Sequence, residues 1–131
     1  MNILVGYDSV KNFSKALDLA KKHAVAFNAH VYIFTASAHS PELNTDEVNT
    51  LKSRIEAIQK DFQKNGISCE THIAFRSLSQ GEDLVEFARE KDIDEIIIGV
   101  KHRSKIGKLI MGSTAQYIIL EAHCPVVTVK E

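Results

Sequence analysis

Between Val100 and Leu120 the chain carries Lys101, Arg103, Lys105 and Lys108 together with His102, and no acidic residue. Glu82, Asp83, Glu86, Glu90, Asp92, Asp94 and Glu95 fall in the segment before it, so positive charge is concentrated in one stretch. Gly99, Gly107 and Gly112 lie along that stretch, and Ser113-Thr114 opens the helical pattern that follows. These are the parts of an anion cradle. Free amides at a helix start, the helix dipole and nearby cations all favour a phosphate, the dipole contributing about 0.3–2 kcal/mol. Glycine serves where backbone must approach an oxygen closely or take a positive φ. The plainer structural reading has Gly99 ending a strand, Gly112-Ser113 capping a helix and the lysines forming a solvated surface.

Two familiar phosphate motifs are excluded. His102 to Leu109 has Gly107-Lys108 at P-loop spacing, but His102 stands where the first glycine belongs, and Leu109 where Ser or Thr would meet magnesium. A dinucleotide fingerprint is absent, because the first apolar run leads into Tyr7-Asp8-Ser9 rather than a glycine-rich turn.

The elements that must position this stretch follow from two alternating hydrophobic periods. Asn2 to Tyr7, His30 to Ala36, Ser68 to Phe75, Ile93 to Gly99 and Val126 to Val129 read as strands, the continuous apolar runs implying burial on both faces. Between them, four sets of residues recur at helical spacing. These are Phe13, Leu17, Ala20, Ala24 and Phe27; then Val48, Leu51, Ile55, Ile58 and Phe62; then Leu84, Phe87 and Ala88; then Ala115, Ile118, Ile119 and Ala122. Asn65-Gly66 closes the second helix and Pro125 the last. Five strands separated by four helices predict an α/β fold, a three-layer open parallel sheet with right-handed crossovers. Ligands of such sheets bind beyond the carboxyl ends of the strands, where strand order reverses. The loops to inspect are therefore Asp8-Ser9, Thr35 to Ala38, Arg76-Ser77 and Gly99 to Thr114.

The 131 residues, 44% hydrophobic and 25% charged, suit one domain spanning 1–131 with a single sizeable core. Sixteen basic and 17 acidic residues leave a formal charge of −1, which gives no global field for nucleic acid or an anionic membrane. No apolar run approaches the ~20 residues of a membrane span, and Asp8 interrupts the first apolar stretch, so neither a membrane segment nor a signal peptide is expected. Cys69 and Cys124, without Cys-x-x-Cys spacing, read as buried thiols in strand-like surroundings of a cytoplasmic protein.

Other chemistry finds no support. The six histidines lack i, i+4 pairing, so no metal site is expected. Ser113 sits in Met-Gly-Ser-Thr-Ala rather than a Gly-x-Ser-x-Gly elbow, so no catalytic residue is assigned. A phospho-acceptor receiver would need an Asp ending the third strand, and that strand ends Ala74-Phe75-Arg76-Ser77.

Over its full length the chain resembles the universal stress proteins: Asp8 ends the first strand, four helices follow, and Cys124-Pro125-Val126-Val127 enters the last strand. Nucleotide-binding members share Gly, two residues, Gly, nine residues, then Gly followed by Ser or Thr. Gly99, His102 and Gly112-Ser113 reproduce the spacing, with His102 in place of the second glycine. The resemblance implies an adenine nucleotide alpha hydrolase-like, Rossmann-like fold. It also implies that ATP, ADP or AMP is bound, with any magnesium as part of the nucleotide complex. Asp8 would then sit by the ribose, backbone around Thr35 would meet the adenine, and Gly99, Gly112, Ser113 and Thr114 would hold phosphates. His102 can face a phosphate, and Arg103, Ser104 and Lys105 join as cradle candidates because they share the basic loop. Asp8 has helix capping as its alternative role, Thr35 ordinary strand packing, and Arg76 either ligand contact or plain surface. The resemblance further implies a homodimer through the closing strand, whose edge must otherwise be covered. The resulting expectation is an adenine-nucleotide-binding stress-response or signalling protein without turnover chemistry. The alternative is an interaction protein of the same fold that has lost the nucleotide and acts through dimerisation.

Overall fold

In this computed structural model nine elements alternate along the chain: β1 (Asn2–Gly6), α1 (Ser14–Phe27), β2 (His30–Ser37), α2 (Asp46–Lys64), β3 (Cys69–Phe75), α3 (Gln80–Glu90), β4 (Glu95–Val100), α4 (Ser113–Glu121) and β5 (Val126–Lys130). The structure describes residues 1–8, 11, 14–37, 46–75, 79–101 and 111–131. All strand pairs are parallel and the order is β3-β2-β1-β4-β5. The chain therefore starts mid-sheet, winds outward to β3, then returns to the other side of β1, and the order reverses between β1 and β4.

The apolar runs divide between two layers as strand alternation requires. Ile3, Val5, Val31, Ile33 and Ile97 face α1 and α2, where they meet Ala16, Ala20, Ala24, Leu51, Ile55 and Phe62. Leu4, Phe34, Ile96 and Ile98 face α3 and α4, against Leu84, Phe87, Ala88 and Ile118. Three of the helices leave by the same device. Asn28, Gly66 and Asp92 take φ of 51°, 75° and 49° after α1, α2 and α3. The next amide, of Ala29, Ile67 or Ile93, donates back to Ala24, Phe62 or Ala88 at 2.9–3.0 Å. This left-handed exit satisfies an orphan carbonyl and drops an apolar residue under the helix. It gives short, tied connections at the amino end of the sheet.

Some expectations need correction. Phe27, placed on the core face of the first helix, is 54% exposed and meets the His23 ring edge-on; the chain turns at Asn28 before that side chain can reach the sheet. Ile119 is also exposed, since Tyr117, Ile118, Ile119 and Leu120 are consecutive in α4 and such a run does not reveal which face the helix buries. Cys69 is buried at the start of β3, and burial pushes its thiol up to about 12, whereas Cys124 is only half-buried and lies in the turn before β5.

Candidate functional site

Where the strand order reverses, the sheet has a notch. β1 stops at Gly6, which is paired with Phe34 on one side and Ile98 on the other, while β2 runs on to Ser37 and β4 to Val100. A cleft of about 510 Å³ opens above that notch. Its walls come from the ends of β1, β2 and β4, from Lys11, and from the starts of α3 and α4. Asp8, Thr35, Gly99, Gly112, Ser113 and Thr114 all line it. His102 and Arg103, like Arg76, Ser104 and Lys105, lie outside the described residues.

The start of α4 has the features of an anion site. Gly112 is the residue before the helix, with φ −64° and ψ 161°, and as the capping residue it brings no side-chain bond to the first-turn amides. That turn holds no acidic residue, unlike α2 with Asp46 and Glu47, or α3, whose Ser79 Oγ accepts from the Glu82 amide at 3.1 Å. At α1 the Glu131 carboxylate accepts from the amides of Lys15 and Ala16, at 3.2 and 2.8 Å. Gly112 is therefore glycine for access and not for strain: its φ suits any residue, and a Cβ there would point into open space. A bound group can approach the helix start from that side. Gly81 fixes where the helix start sits, since a Cβ there would lie 2.9 Å from the Tyr117 ring. α3 and α4 pack closely over that position.

Across the notch, the Tyr7 amide donates to the Phe34 carbonyl at 2.8 Å, the last bond between β1 and β2. Backbone direction alternates along a strand, so Thr35 turns its own N–H and C=O toward β3, where it pairs with Ile73. Ala36 turns back toward the cleft it lines, past the end of β1. The backbone groups turned toward the cleft at this strand end are thus those of Ala36, one residue beyond Thr35. Asp8 lines the cleft while its Oδ1 accepts from the Lys11 amide at 3.1 Å, so its carboxylate also holds the turn that leads to α1. Burial of the Tyr7 hydroxyl beside it raises its pKa above the usual tyrosine value; nearby Arg54 opposes the shift and Asp8 adds to it. Lys11 and Gln80 were not anticipated in the wall. The open-sheet rule pointed to the loops they adjoin but not to these side chains.

The model of the Universal stress protein family matches residues 1–130. The chain belongs to that family. A universal stress protein of Mycolicibacterium smegmatis is 27% identical over 130 residues, covering 98% of this chain and 96% of its own. The structure of a universal stress protein from Archaeoglobus fulgidus superposes with a TM-score of 0.82 at 30% identity, over 99% of this chain and 98% of that one. A second, of the universal stress protein from Archaeoglobus fulgidus in complex with dAMP, gives 0.77 at 26% identity over the same shares. Among the described residues of this universal stress protein, no helix is long and apolar enough to cross a membrane, and no group of His, Cys, Asp and Glu has the makings of a metal site.

Proposed function

We propose that this universal stress protein binds an adenine nucleotide, ATP, ADP or AMP, in the cleft over β1 and β4, and that it acts in the cytoplasm as a stress-response or signalling protein through that occupancy rather than by turnover. The observation that carries the reading is the α4 start: a helix terminus with no side-chain cap, entered through an open-faced glycine, walls a cleft at the reversal of strand order. The dAMP complex of the Archaeoglobus fulgidus relative supports the ligand class. Ser113 and Thr114 supply hydroxyls beside the amides, Lys11 and Lys101 supply cations, and the Ala36 backbone supplies a donor and an acceptor for a base. Magnesium, where present, would arrive with the nucleotide, chelated by its phosphates. The cleft's described carboxylate, Asp8, is placed to accept from ribose hydroxyls while it holds the Lys11 turn.

A ligand that binds only the folded state stabilises it by about 2.7 kcal/mol at a hundred times its Kd, which for a domain of this size raises Tm by roughly 10 °C. AMP and ATP are expected to produce such a rise in differential scanning fluorimetry and GTP a smaller one. Acid extraction of the purified protein, followed by chromatography, identifies any nucleotide carried through purification. No shift with any adenine nucleotide overturns the binding reading in favour of the interaction protein.

The proposal includes a homodimer through β5. That strand is an edge of the sheet, and beside it α4 exposes Tyr117, Ile119 and Leu120, the last at 79%. An open edge next to an apolar helix face invites a two-fold partner presenting the same surface. Light scattering at micromolar concentration is expected to give twice the chain mass, and Leu120→Glu to shift it toward the monomer. A monomer mass for the unaltered protein refutes the dimer.

A further inference from the structure

Glu131, one residue beyond β5, joins two elements that wall the cleft. Its amide donates to the Val100 carbonyl at 3.0 Å, which carries the β4–β5 pairing past Lys130 to the end of β4, where Val100 and Lys101 line the cleft. Its carboxylate accepts from the amides of Lys15 and Ala16 in the first turn of α1. That turn holds no acidic residue of its own, so the charge that complements its free amides comes from 115 positions along the chain. Lys11, four residues before Lys15, lines the cleft, and Asp8 Oδ1 holds its amide. The approach to α1 is thus pinned at both ends, by Asp8 beyond β1 and by Glu131 at the helix start.

We propose that Glu131 is a positioning residue for nucleotide binding: by clasping the α1 start to the end of β4 it holds Lys11 in the cleft wall, without touching the ligand. This rests on the nucleotide reading above and adds to it a residue outside the cleft. A wall that must be ordered as the ligand binds subtracts that ordering from the affinity, and the clasp meets the cost in advance. Coulomb's law alone predicts the opposite sign. Glu131 and AMP are both anionic, so removing the carboxylate would favour AMP if charge were all that counted, and a loss of affinity therefore reports position.

Glu131→Ala and Glu131→Gln, titrated with AMP by calorimetry well below their melting temperatures, test the assignment. Glu131→Ala is expected to weaken AMP binding about five- to tenfold and to lower the unliganded Tm by roughly 5 °C through the lost cap. Glu131→Gln keeps the stem and an acceptor oxygen while removing the charge, and is expected to stay within about threefold of the unaltered protein. Lost stability alone does not imitate this result, because Phe62→Ala, at the other end of the sheet, is expected to melt lower and keep its AMP affinity. AMP affinity in Glu131→Ala equal to or above that of the unaltered protein overturns the proposal, leaving Glu131 a cap of α1 only and nucleotide binding standing. An equal loss in Glu131→Gln also overturns it, since stem and acceptor are then not what the cleft depends on. If the unaltered protein fails to bind AMP, this proposal and the nucleotide reading both fall.

Discussion

Gly112→Val is expected to cut AMP affinity by about a hundredfold or more while leaving the unliganded Tm within about 3 °C of the unaltered protein. The two halves of that result have separate physical causes. The backbone at Gly112, φ −64° and ψ 161°, is one valine adopts without strain, and a Cβ there meets no atom within 4 Å. No capping bond is lost, because none is made by this residue's side chain. Removing a glycine from a helix N-cap costs the fold at most a modest amount. A phosphate seated on the first-turn amides, however, must share that open space with the isopropyl group. Losing two charge-assisted hydrogen bonds, at about 1.5–3 kcal/mol each, accounts for the expected drop in affinity. Calorimetry with AMP and a thermal melt of the same preparation check both halves. Undiminished binding would move the phosphate away from the start of α4.

Phe62→Ala should give the reverse signature. Phe62 is wholly buried, the largest of the fully buried side chains among the described residues, and its carbonyl receives the Ile67 amide in the left-handed exit of α2. The Lys21 ammonium lies 5.3 Å from its ring centre. Truncation leaves a cavity beneath α2 and loosens the turn into β3, at an expected cost of about 3–5 kcal/mol, a large part of the stability of a domain this size. Urea unfolding measures it, and a loss below about 1 kcal/mol would mean the site can collapse around the missing ring. The residue lies at the amino end of the sheet, away from the cleft. AMP affinity of the folded fraction in the cold is therefore expected to be unchanged. Together the two variants separate binding from folding: one loses ligand and keeps its melting point, the other loses stability and keeps its ligand.

Strand and helix identity were legible in the chain because burial on both faces leaves a direct trace. Ile96-Ile97-Ile98 is apolar at every position, since alternate side chains enter opposite layers. The reversal of strand order, and with it the placement of Asp8, Gly99 and Gly112 around one cleft, followed from parallel topology. What the pattern did not carry is where pairing stops. That Ala36 rather than Thr35 turns its backbone to the cleft depends on β1 ending at Gly6 opposite Phe34, and no side-chain periodicity records a strand's last bond. The hydrophobic repeat likewise carried Phe27 into the core, because it does not register the left-handed turn at Asn28 that ends α1. Lys11 and Gln80 carry no motif at all. They reach the wall only because α1 and α3 begin beside it.

The tied exits from α1, α2 and α3 make the amino end of the sheet a stiff rim. Amide protons next to Asn28, Gly66 and Asp92 should be among the slowest to exchange outside the central strands, since releasing them means lifting Ala29, Ile67 or Ile93 out of the apolar layers. A substitution at one of these three exits should therefore loosen a strand from its layer and register in the melting point even though it touches no wall of the cleft.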